Sequence, residues 1–133
     1  MSHWTRNYVG LPYCPGGRDR GGIDCWGLVR LFYQEELDIP LPELPGISAE
    51  GALAISREIL AHSQQSWMRL SNPTEGCVVA MSQKLVLHHV GIWTQADGGR
   101  VIHCWNGPVI ADTLDSLRRW KGVRTIEFYG LHR

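Results

Sequence analysis

Four cysteines and six histidines are the side chains of this chain that can serve as nucleophile and base near neutral pH. Cys25 is set apart by its context. It follows Asp24, a favoured helix N-cap, and opens a run whose apolar residues recur at helical spacing from Cys25 through Leu28, Val29 and Phe32 to Leu37. A helix N-terminus carries roughly half a positive charge and several unpaired N–H groups, which favour thiolate over thiol. Such settings lower a thiol pKa from about 8.5 to around 3.5–7.5. Gly21-Gly22 before Cys25 and Gly27 after it would let backbone and substrate approach closely.

A thiol nucleophile needs a base, and the base needs a group that orients it. His89 opens the run Val90-Gly91-Ile92-Trp93, and His103 closes Val101-Ile102, with the turn residues Ala96-Asp97-Gly98-Gly99 between them. Paired antiparallel strands sit about 5 Å apart, so two inward-facing imidazoles can bond side by side. One would pair with Cys25 while the other fixes its tautomer. His88, next to His89 on the same strand, would face the opposite way.

The remaining candidates have plainer readings. Cys14, Cys77 and Cys104 read as inert small hydrophobes, and Asp24 as a helix cap. A zinc site drawn from the cysteines and histidines lacks the short C-x-x-C or H-x-x-x-H spacings such sites use. Trp26, Trp105 and Tyr13 lie near the proposed catalytic residues in sequence, and are read as walls of a groove beside Cys25.

The residues also match a known pattern. Tyr8, Gly10, Pro12, Tyr13, Gly16, Gly17, Asp24, Cys25, Gly27, Leu28 and Val29, then His89-Val90-Gly91-Ile92 and Val101-Ile102-His103, resemble the NlpC-type cell-wall cysteine peptidases. The resemblance implies a minimal papain-like domain with Cys25 as nucleophile, His89 as base, His103 as third polar residue and Tyr13 as a site tyrosine. It also implies peptidoglycan stem peptides as substrate, cut at a D-glutamyl–diamino-acid bond, with no metal or cofactor. Two positions depart from the family's habit: Trp26 stands where Ser is common, and Ile23 where Phe is usual. The form Asp24-Cys25-Trp26-Gly27-Leu28-Val29, with Gly16-Gly17-Arg18-Asp19-Arg20 upstream, resembles the branch found in phage and prophage tail-gene clusters. Other tail proteins are then possible partners. A structural tail-tip component that keeps the fold without the activity is the alternative.

The elements that must position these groups follow from periodicity. The glycine- and proline-rich stretch Leu11–Gly22 reads as an ordered loop, and the helix after it ends at Pro40 and Pro42. A second helix is expected from Ser48 to His62. Strands are expected at Cys77–Met81, Val86–Trp93, Val101–Trp105, Val109–Ile110 and Val123–Tyr129, with a short helix from Asp112 to Trp120. Helices first, then an antiparallel sheet, is an α+β order for one domain over residues 1–133. Thirteen basic and thirteen acidic residues cancel, so no broad field draws nucleic acid or an anionic membrane. No run is long enough to span a bilayer, and the N-terminus lacks a signal-peptide core. Synthesis in the cytoplasm is therefore expected, with later incorporation into a virion on the tail reading.

Overall fold

A computed structural model of the protein describes residues 4–41, 67–83 and 89–131. The expected second helix and His88 lie outside these residues. What is described is α+β, as the element order predicts. Helix α1 spans Cys25–Leu37 and helix α2 spans Leu114–Trp120. A short hairpin precedes α1, made of β1 (Arg18–Asp19) and β2 (Gly22–Ile23). Six further strands are β3 (Trp67–Leu70), β4 (Val78–Ser82), β5 (His89–Thr94), β6 (Arg100–His103), β7 (Ile110–Asp112) and β8 (Thr125–Leu131). They form one antiparallel sheet in the order β3-β8-β4-β5-β6-β7.

Strand alternation divides the sheet between two cores. Val78 and Ala80 of β4, Val90 and Ile92 of β5, and Ile102 of β6 pack with Trp26, Leu28, Val29, Phe32 and Tyr33 of α1. Val79, Met81, Trp93 and Val101 face the other way and meet Leu117 of α2. Both faces are covered, and every residue of β4 and β5 is buried. β5 is thus a rigid central rail, and His89 is its first residue.

Three elements differ from expectation for local reasons. Helix α1 stops at Leu37, before Pro40, because Asp38 takes a left-handed C-cap (φ 55°). The hairpin β1–β2 sits inside the stretch read as a loop, its tight turn closed by Asp19 Oδ1 accepting from Gly21 N at 2.9 Å. β3 has too few residues to show a period, and pairs with β8 from Trp67↔Leu131 to Leu70↔Phe128.

Candidate active site

Asp24 builds the start of α1. Its Oδ1 accepts from Gly27 N at 2.8 Å, the N-cap bond, and from Arg18 Nη1 at 2.7 Å. Its Oδ2 accepts from Gly16 N at 3.0 Å. One carboxylate therefore locks the helix start to the loop before it, and the residue is only 3% exposed. Gly17 and Gly27 make the lock tight: a side chain at Gly27 would sit 2.2 Å from Gly17 O. The loop is tied to the distant end of the sheet by Gly10 N to Val109 O (2.8 Å), Val109 N to Leu11 O (2.9 Å) and Cys104 Sγ to Ile23 O (3.4 Å). Cys25 emerges from this frame at the first position of α1.

The backbone N–H groups of Val90 and Trp26 both bond the Cys25 sulfur. The first of these comes from β5, immediately after His89, and brings the nucleophile candidate beside the start of the histidine strand. Burial nevertheless dominates the thiol. It pushes Cys25 up to about 12, with Asp24 and Cys104 adding to the rise, while the two N–H groups pull the other way. The sequence expectation of a depressed thiol pKa is therefore corrected for the resting protein. The helix-terminal charge is outweighed because the residue is only 8% exposed. Ionisation of such a thiol needs a proton acceptor in direct reach rather than bulk water.

The acceptors form a chain. His89 Nε2 lies 2.8 Å from His103 Nδ1, and His103 Nε2 lies 2.7 Å from Asp112 Oδ2. Lys121 Nζ donates to the same Asp112 oxygen at 2.7 Å, and Ser116 Oγ donates to Oδ1 at 3.1 Å. Bonds from His103 and Lys121 hold the Asp112 carboxyl well below its ordinary range despite its burial. Trp105 stacks on His89 with centroids 4.4 Å apart. Gly91 makes room for the pair: a Cβ there would meet Val101 Cγ1 at 2.7 Å, Ile102 O at 2.8 Å and His103 Cβ at 2.9 Å.

The structure thus brings His89, His103 and Trp105 together. Tyr13 is partly buried against the first core, and its hydroxyl pKa is raised by burial and by the nearby Asp24, Cys104, Cys25 and Cys14. Trp26 is elsewhere. Its indole is 1% exposed inside the first core, so it presents no surface to a groove; the helical position after Cys25 turns inward. Cys77 and Cys104 are buried with raised thiol pKa values, Cys104 to about 11, and Cys14 is exposed. Asp112 escaped the sequence reading. Its one signal was position: two strand residues from Ile110, which pairs with His103. Among the described residues no group of three or more His, Cys, Asp or Glu is placed to hold a metal ion, and no helix is long and apolar enough to cross a membrane.

Comparison with known proteins bears on the family and the fold. The model of the NlpC/P60 family matches residues 10–122. A γ-DL-glutamyl hydrolase of Bacillus subtilis (strain 168) is 31% identical over 124 residues, which is 91% of this chain and 26% of the relative. The chain thus spans about a quarter of that relative's length. The crystal structure of the NlpC/p60 domain of the peptidoglycan hydrolase SagA superposes with a TM-score of 0.61 at 20% identity, covering 92% of this chain and 90% of that one. At that identity the likeness speaks for the fold.

Proposed function

The chain belongs to the NlpC/P60 family, and on that premise we propose that it is a cysteine-type hydrolase that opens amide bonds in peptidoglycan stem peptides. The observation that carries this reading is the Cys25 sulfur held by Val90 N–H, one residue from the His89–His103 pair. The γ-DL-glutamyl hydrolase relative supports a bond on the carboxyl side of a D-glutamyl residue.

In this mechanism His89 takes the Cys25 proton as the sulfur attacks the amide carbonyl, so the ion pair forms with the new bond rather than before it. The high resting thiol pKa fits that order. Backbone N–H groups at the start of α1 stabilise the oxyanion, His89 returns the proton to the leaving amine, and water hydrolyses the thioester. Trp105 covers one face of His89, and Tyr13 borders the sulfur side.

The residues around Asp24-Cys25-Trp26 support a finer assignment to the phage-tail branch of the family. The burial of Cys25 favours a second reading, a tail component that keeps the fold without the activity. One experiment separates them. The protein and its Cys25→Ala and His89→Ala variants are incubated with purified muropeptides, and products are read by mass spectrometry. Cleavage by the parent alone is expected. Cleavage that survives Cys25→Ala removes the nucleophile, and no cleavage by any of the three leaves the structural reading.

A further inference from the structure

Tautomers in a chain of imidazoles are not independent, and one end of this chain is fixed. Asp112 is ionised and holds two donors on Oδ2, His103 and Lys121, so it accepts and cannot donate. The hydrogen between Asp112 and His103 therefore belongs to His103 Nε2. A neutral His103 then has a bare Nδ1, which can only accept. The bond across 2.8 Å to His89 must be donated by His89 Nε2. A neutral His89 with its hydrogen on Nε2 has a bare Nδ1, and that is the nitrogen able to receive the Cys25 proton.

We infer that Asp112, clamped by Lys121 and Ser116, is a positioning residue that sets the tautomer of His89 through His103, so that the relay runs Cys25–His89–His103–Asp112. This rests on the hydrolase reading for what the relay serves, though the tautomers themselves do not depend on it. The clamp is specific in its placement. Lys121 follows the last residue of α2, Ser116 lies on its first turn, and both reach a carboxylate at the end of β7. Helix α2 thereby holds Asp112 from two sides, and Asp112 reaches His89 only through His103. When His89 becomes charged during the reaction, the fixed Asp112 carboxylate also offsets that charge through His103 without moving a proton.

Asp112→Ala removes the acceptor, whereas Asp112→Asn would keep its carbonyl oxygen toward Lys121 and His103 and hold the same tautomer. With no carboxylate to receive it, the His103 hydrogen is no longer held on Nε2 and can move to Nδ1. Where it does, His89 Nε2 has to accept, and its own hydrogen moves to Nδ1, the nitrogen that should be bare. Nitrogen NMR on protein labelled at histidine distinguishes protonated from bare ring nitrogens. The expected parent spectrum has both His89 and His103 protonated at Nε2, and in Asp112→Ala both rings show protonation shared between Nε2 and Nδ1. On muropeptides kcat should fall about 100-fold, within the range general acid–base catalysis contributes, with KM nearly unchanged. Parent His103 protonated at Nδ1 overturns the inference, whether or not the variant folds, and so do unchanged tautomers in a folded Asp112→Ala. A parent that cleaves nothing yet shows the expected tautomers and their exchange removes the hydrolase reading and leaves the relay standing. A parent that cleaves with the wrong tautomers removes the relay alone.

Discussion

The indole of Trp105 lies over the imidazole of His89, ring centroids 4.4 Å apart and planes 24° from parallel. A π face beside a ring that becomes positively charged attracts that charge, and it also keeps water off one side of the base. Removing it should therefore damage the step in which His89 carries the proton. Trp105→Ala is expected to lower kcat roughly tenfold, about 1.4 kcal/mol, with Trp105→Phe recovering part of the loss. Steady-state kinetics on a muropeptide checks it. A change confined to KM would place Trp105 on the substrate instead.

Gly91 should tolerate no side chain. A methyl there meets Val101, Ile102 and His103 at 2.7–2.9 Å, two of these contacts being backbone or Cβ atoms that cannot swing aside. Gly91→Ala is expected to cost about 1–3 kcal/mol by urea unfolding, as overpacked cores do. It should also widen the His89–His103 contact, lowering activity in protein that remains folded. Parent-like stability in Gly91→Ala would show that β6 moves more easily than its burial suggests.

Asp24 should matter for stability before it matters for chemistry. Its three accepted bonds hold two loop donors and one helix donor, and Arg18 beside it is only 19% exposed. Asp24→Ala is expected to destabilise by about 2 kcal/mol, the N-cap loss together with unpaired buried donors. Asp24→Asn should keep the cap bond and recover part of that, which paired thermal melts would reveal. Equal losses in both variants would assign the effect to the Arg18 charge pair alone.

Both limbs of the pH–stability curve carry a signature. The Cys25 thiol, ordinarily near 9.0, is raised to about 12 in the folded protein. Its neutral form is favoured by folding, so this contribution is complete below pH 9.0 and is lost as pH climbs toward 12. Cys25→Ala should flatten part of the alkaline decline, leaving the part due to Cys77, Cys104, Tyr8, Tyr13 and Tyr129. Asp112 is lowered from 3.8, so its contribution is complete above that value and fades as pH falls further. Asp112→Asn should flatten the acid limb. Urea titrations across both ranges are the check, and parallel curves for parent and variants would contradict it.

The exposed thiol gives a final contrast. Cys14 is exposed and Cys25 is 8% exposed with a raised pKa, so iodoacetamide near neutral pH should mark Cys14 readily. Any labelling at Cys25 should then depend on the neighbouring base and fall in His89→Ala. Peptide mapping decides it. Cys25 labelling that is unchanged in His89→Ala would detach the thiol from its proposed acceptor.

Much of this architecture is legible in the residues because local chemistry dictates it. Asp24 before an apolar helical face can hardly do other than cap, and two histidines flanking a Gly-Gly turn at strand spacing can meet across a hairpin. Three features were not legible. The inward turn of Trp26 depends on how α1 sits against β5, a tertiary fact that no local pattern carries. The thiol pKa depends on burial, which outweighs the helix terminus that the sequence does display. Asp112 enters the site only because β7 pairs with β6, a register fixed in space rather than by spacing along the chain.

The bond from Cys104 Sγ to Ile23 O closes a loop of 81 residues, and those joining Gly10, Leu11 and Val109 close still longer ones. Such closures yield nothing until both ends exist, and their entropy must be met before any contact rewards it. The helix bearing Cys25 is synthesised before Asp112 and Lys121. A growing chain therefore carries its thiol before it carries the finished set of partners, so the centre assembles only once both ends of these closures are present.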